Sequence, residues 1–148
     1  MGRVRYFTES CFVCGRSNPK GLQAQFISDG DVVTTQVTPR VEFQGITGVV
    51  HGGVVAALLD ETLWYAVYAA GYTTLTVRLN LTLRRSATAG EPLFARGRYV
   101  GRDRRFLLGE GVLCDCHGTV LAEAEGQFLV SKKITAHLGD VISAEKFD

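Results

Sequence analysis

Asp60 stands in the middle of a stretch that is otherwise almost wholly apolar. From Val54 to Ala70 the chain offers Val54, Val55, Leu58, Leu59, Leu63 and Val67, and its only charges are Asp60 and Glu61. Burying a carboxylate without a partner is costly, so a chain that places one here has a use for it. Just upstream, His51-Gly52-Gly53 opens the same run. Glycines at a helix start leave backbone N–H groups bare and reachable by a ligand. A carboxylate can take a proton from water or attack a carbonyl itself. Helix-start amides stabilise the oxygen that becomes negative. Together they outline an acyl-transfer site. The plainer alternative for Asp60 is an ion pair with Arg78 or Arg84. Glu61, about 100° further round a helix, fits a salt-bridge or subunit-contact role.

Four cysteines fall into two pairs, Cys11-x-x-Cys14 and Cys114-x-Cys116, with His117 next to the second. Met1 to Arg5 has no apolar segment of signal-peptide length behind it, so reduced structural thiols in a cytoplasmic protein are expected. A zinc site built from both pairs is the alternative, although one intervening residue is a poor zinc spacing. It would show as stoichiometric metal in the purified protein. Lys and Arg total 16 against 15 for Asp and Glu, a net charge of +1, which argues against a dedicated nucleic-acid binder. The arginines are nevertheless clustered, at Arg84-Arg85 and at Arg102, Arg104 and Arg105. Their forked donors suit phosphate.

The elements that must position these groups are legible in the patterning. The chain is 148 residues long, a length that suits one domain, here 1–148. Within it, 1–21 is a turn-rich lead-in (Cys14-Gly15, Asn18-Pro19-x-Gly21). Residues 132–148 read as a polar tail, loosely ordered or a short helix. Gly53 to Ala70 predicts a helix buried on every side and stopped by Gly71. It is too short and too acidic at its centre to cross a membrane. Leu22–Ile27 and Val32–Val37 predict a hairpin across Asp29-Gly30. From Leu75 to Leu83 the alternation is strict, with the odd-numbered apolar residues on one face and Thr76, Arg78, Asn80 and Thr82 on the other. Three more strands follow, over 92–100, 106–115 and 120–130. The economical architecture is α+β: five or six antiparallel strands curled around one long helix, which is the hotdog fold.

The stretch from Phe43 to Gly53, ending in Leu58-Leu59-Asp60-Glu61, resembles the hotdog acyl-CoA thioesterases. The match is to the group containing phenylacetate-pathway and thioesterase-superfamily-member enzymes, and it covers about residues 11 to 130. The resemblance implies thioester hydrolysis with Asp60 as general base or nucleophile. It implies that the Gly52 amide polarises the carbonyl and that Thr76, supplied by the partner chain, orients the water. His51, Gly53, Gln44, Asn80, Arg84 and Arg85 are the implied substrate-binding and supporting residues, with His51 holding its loop and Asn80 backing Thr76 from the same strand face. It implies a homodimer or dimer of dimers, because each site is built across a subunit boundary. No metal or redox cofactor is required, and coenzyme A enters only as part of the substrate. Relatives carry Asn or Gln six residues before the motif histidine. This chain has Gly45 there and Gln44 one step earlier, so either the loop shifts by one residue or the role is vacant. Two other readings follow: an acyl-CoA-binding protein without turnover, and a hotdog dehydratase, which the proline-free Gln44–Val50 loop disfavours.

Overall fold

The structure is a computed structural model that describes residues 2–138 and 141–147. Its central helix α1 runs over Gly52–Ala69, and both ends are fixed by sequence. His51 is the N-cap, its ring accepting the Gly53 N–H, which satisfies one of the bare first-turn donors. At the other end Gly71 takes φ +106°. Gly71 N donates to Tyr68 O and Tyr72 N to Val67 O, the paired bonds of a Schellman stop.

Eight strands form one antiparallel sheet in the order β4-β7-β6-β5-β3-β2-β1-β8. They are β1 (Arg3–Phe7), β2 (Phe26–Asp29), β3 (Val32–Val37), β4 (Thr74–Leu83), β5 (Leu93–Asp103), β6 (Phe106–Cys114), β7 (Val120–Val130) and β8 (Ser143–Phe147). This is the expected hotdog arrangement with eight strands rather than five or six. The two additional ones come from the chain ends: β1 lies in the lead-in and β8 in the tail, and they pair with each other. The tail also holds the expected short helix, α2 (Lys132–Leu138). Residues 139, 140 and 148 of the tail, and Met1, lie outside the described residues.

The helix seats on the sheet through Leu63, which is fully buried. Beneath it lie Gly97 (β5), Gly109 and Gly111 (β6) and Gly126 (β7), of which Gly97 pairs with Gly111 and Gly109 with Gly126. A Cβ at Gly111 would stand 2.9 Å from Leu63 Cδ2 and 2.6 Å from the Arg96 carbonyl oxygen, and one at Gly126 would stand 3.3 Å from Leu63 Cδ1. Only bare backbone admits the helix this closely. Around that contact Leu58, Leu59, Val67, Leu93, Leu107, Leu113 and Phe128 close the core.

The helix is not buried on every side, as its composition suggested. Val54, Ala57, Asp60, Trp64 and Tyr68 are only partly covered, and at spacings of three and four they share one face. That face carries the carboxylate. None of the described helices is long and apolar enough to cross a membrane.

Candidate active site

Asp60 lies at mid-helix on the half-covered face, and its Oδ1 accepts a 2.8 Å hydrogen bond from the Thr76 hydroxyl of the same chain. Burial raises the Asp60 pKa above the usual carboxylate value, and the Thr76 bond partly opposes the rise. Among the described residues no Lys or Arg forms an ion pair with Asp60. Arg84 is engaged elsewhere, 2.7 Å from Glu123, and Arg78 forms no ion pair among them.

Thr76 reaches the helix because of a β-bulge. Thr76 pairs with Phe128 and Arg78 with Gln127, so Val77 is an extra residue in β4. One inserted residue reverses which face every later side chain takes. Thr74 and Thr76 therefore face the helix, whereas beyond the bulge Leu79 and Leu81 do. Arg78, Asn80 and Thr82 are turned to the outer face of the sheet. Asn80 there lines a groove of about 660 Å³ with Arg96, Arg98, Glu110 and Glu125. The expectation that Asn80 backs Thr76 is thus corrected: the two occupy opposite faces. This outer groove contains none of Asp60, Thr76 or Gly52.

At the helix start the donors divide cleanly. Gly53 N–H is taken by His51 Nδ1 at 2.8 Å, and Val54 N–H by the His51 carbonyl. Gly53 therefore has no amide left for a substrate. The Gly52 N–H has no acceptor among the described residues. Because His51 Nδ1 accepts, this imidazole carries any proton at Nε2 and serves to cap the helix. Gln44 Oε1 accepts the Gly48 N–H at 2.9 Å, so its amide braces the turn leading to His51. A side chain at Gly45 would press on the His51 ring, 3.2 Å from Cδ2. Arg84 and Arg85 follow directly on Leu83, whose Cδ1 stands 3.1 Å from where a Gly52 Cβ would be. They are thus at the Gly52 end of the helix. Arg102 stacks over Tyr72, beyond the opposite end.

Glu61 makes no salt bridge among the described residues. Its Oε2 instead accepts from Cys11 Sγ at 3.0 Å. Cys14 Sγ is within hydrogen-bond distance of the Tyr65 hydroxyl (3.3 Å) and of Thr8 Oγ1 (3.4 Å). Burial, reinforced by the neighbouring Cys11, pushes the Glu61 pKa up to about 8. The proximity of the two thiols holds Cys11 below its ordinary value and Cys14 above it. Cys114 and Cys116 are not members of this cluster, so the alternative four-cysteine grouping does not form among the described residues. Sequence reading missed the partnership of Cys11 with Glu61, fifty positions apart, and no local pattern announces it.

The comparisons with known proteins bear on this arrangement. The family model described as "Thioesterase superfamily" matches residues 47–124, a span that includes Gly52, Asp60 and Thr76. The chain belongs to the thioesterase superfamily. Among solved structures this superfamily member resembles another thioesterase superfamily protein with 30% sequence identity and a TM-score of 0.77. That match covers 82% of this chain, which spans only 60% of the relative's length. A phenylacetic acid degradation-related protein from Ralstonia eutropha JMP134 is 28% identical, with a TM-score of 0.65 over 74% of this chain and 86% of that one. A Streptococcus mutans protein bound to acetyl CoA has the same fold, with 19% identity and a TM-score of 0.67 over 72% and 86% of the two chains. No curated protein matches this thioesterase superfamily chain.

Proposed function

We propose that the chain hydrolyses acyl-CoA thioesters, with Asp60 driving water onto the carbonyl. The observation that carries this reading is the half-buried Asp60 carboxylate, free of any ion pair among the described residues and aimed by Thr76 at 2.8 Å. As general base, Asp60 takes one proton from water while the water oxygen bonds to the thioester carbon. The oxygen that becomes negative accepts a hydrogen bond from a Gly52 N–H, and collapse expels the coenzyme A thiolate, which takes the proton. As nucleophile, Asp60 would attack the same carbon and expel the coenzyme A thiolate, forming an anhydride. Water then opens it to the free acid and the Asp60 carboxylate, the proton passing to the thiolate.

Asp60 and Gly52 of one chain cannot share a carbonyl. Eight residues of helix separate them, about 12 Å at 1.5 Å per residue, whereas both must lie within about 3 Å of the reacting atoms. A second copy is therefore required to bring its Gly52 to this Asp60. Strand β4 supports that pairing. It ends the sheet, and its Leu75, Val77 and Leu83 are 51%, 50% and 54% exposed. A long apolar edge of this kind invites a partner strand. The acetyl-CoA-bound Streptococcus mutans structure supports coenzyme A as the carrier, and Arg84-Arg85, which follow Leu83 at the Gly52 end of the helix, are its proposed phosphate contacts.

Thiol release from a panel of short, long and aryl acyl-CoAs tests the reading. Turnover of at least one thioester, falling by about 10² or more in Asp60→Ala, is the expected result. Activity untouched by the substitution would remove Asp60 from the mechanism. Because Gln44 is committed to its turn, binding without turnover is the outcome that would make this an acyl-CoA-binding protein instead.

A further inference from the structure

One cluster of reactive groups takes no part in the thioester chemistry. Cys11 Sγ, Cys14 Sγ and a Glu61 carboxylate oxygen all lie within 4.8 Å of one another. They join the lead-in to the centre of α1, next to Asp60. We propose that Cys11, Cys14 and Glu61 bind a divalent cation of the zinc type, which clamps the lead-in onto the central helix.

The donor set suits that ion. Two soft thiolates beside one carboxylate oxygen favour zinc over calcium or magnesium, which take oxygen ligands alone. Tetrahedral zinc with Zn–S near 2.3 Å sets its two sulfurs about 3.8 Å apart, a separation within the observed span. The two-residue spacing of Cys11 and Cys14 is the usual one for sulfur ligands carried on a single turn. That turn is already formed, with Gly15 N donating to Cys11 O at 2.9 Å.

Hydrogen bonds around the sulfurs point the same way. Val13 N–H donates to Cys11 Sγ at 3.3 Å, and the Thr8 and Tyr65 hydroxyls sit at Cys14 Sγ. Donors of this kind orient metal-bound thiolates. The cluster also lacks a positive charge: among the described residues no Lys, Arg or His forms an ion pair with Glu61. A divalent cation would supply it, bound by the thiolate and carboxylate forms of its ligands. Cys14 is buried, while Cys11 is only half so, which leaves the fourth position open on the Cys11 side. The site is independent of the thioesterase reading.

Titration of the reduced full chain with cobalt(II) tests the proposal. The expected result is uptake of about one ion per chain, with the near-ultraviolet charge-transfer band of thiolate bound to cobalt. That band should disappear in Cys11→Ser and Cys14→Ser, and affinity should fall by about 10-fold or more in Glu61→Gln. The double variant Cys114→Ser/Cys116→Ser should bind as the parent does. Circular dichroism checks that the variants fold. Should Cys14→Ser fail that check, the half-exposed Cys11 and the Glu61 variant decide. No stoichiometric uptake by folded, reduced protein would overturn the site, as would a band that survives Cys11→Ser. A Cys11–Cys14 disulfide formed in air by a chain that takes up no metal when reduced would overturn it equally.

Discussion

At the scale of single residues, the Asp60–Thr76 hydrogen bond carries the reading of the site. It is made within one chain, whereas the family resemblance had led us to expect Thr76 from the partner. Thr76→Val keeps the branched shape and removes only the donor. A hydrogen bond to a charged acceptor is worth about 1.5–3 kcal/mol, so kcat/KM should fall by at least about 10-fold with little change in Tm. Steady-state kinetics beside a thermal melt separates the two effects. An unaltered rate would mean that the bond only holds the strand. A single turnover in heavy-oxygen water then distinguishes the two roles of Asp60. Label entering the Asp60 carboxylate marks a nucleophile, and label entering only the released acid marks a base. Asp60 and Gly52 could be singled out from sequence because an acid in an apolar run and a bare glycine at a helix start are anomalies of type. Glu61 is equally visible as an acid in that run, but nothing in its own neighbourhood points to Cys11.

Among the elements, the bulge in β4 decides which side chains reach the helix. Asn80 shares parity with Thr76 in sequence but not in space, because Val77 intervenes without a partner of its own. Asn80→Ala should therefore leave kcat/KM within about 2-fold of the parent, as surface substitutions away from such features ordinarily do. A loss comparable with that of Thr76→Val would place Asn80 back beside Asp60. The bulge could not be read from the sequence: Thr76-Val77-Arg78 contains no glycine, and strict alternation continues straight through it. Strands β5, β6 and β7 were legible because each alternates between Gly or Pro turns, and α1 because a capping residue and a glycine stop bracket it. Strands β1 and β8 were not. Arg3–Phe7 and Ser143–Phe147 are only five residues each, neither carries a strong apolar alternation, and their pairing spans nearly the entire chain.

For the whole molecule, the open β4 edge bears on the second copy that the proposed reaction needs. Leu75 and Val77 stand exposed on the strand that ends the sheet, and natural edges avoid association by placing lysine there. Leu75→Lys should shift the protein toward monomer in light scattering. Turnover should fall with it, because a lone chain cannot bring a Gly52 amide to its own Asp60. A monomer that retained full activity would refute the shared site. At the opposite border the sheet ends in β8, whose exposed Glu145 and Lys146 put charge on that edge, so association is directed to the β4 end.

The four glycines under Leu63 have a consequence for fidelity of alignment. They form a socket that admits one side chain, and Leu63 lies three residues beyond Asp60 on the same helix. Sliding the helix by one residue would lift Leu63 from the socket and swing Asp60 about 100° away from Thr76. The aim of the carboxylate is therefore inherited from a keyhole three residues further along the helix, cut where three strands carry no side chain.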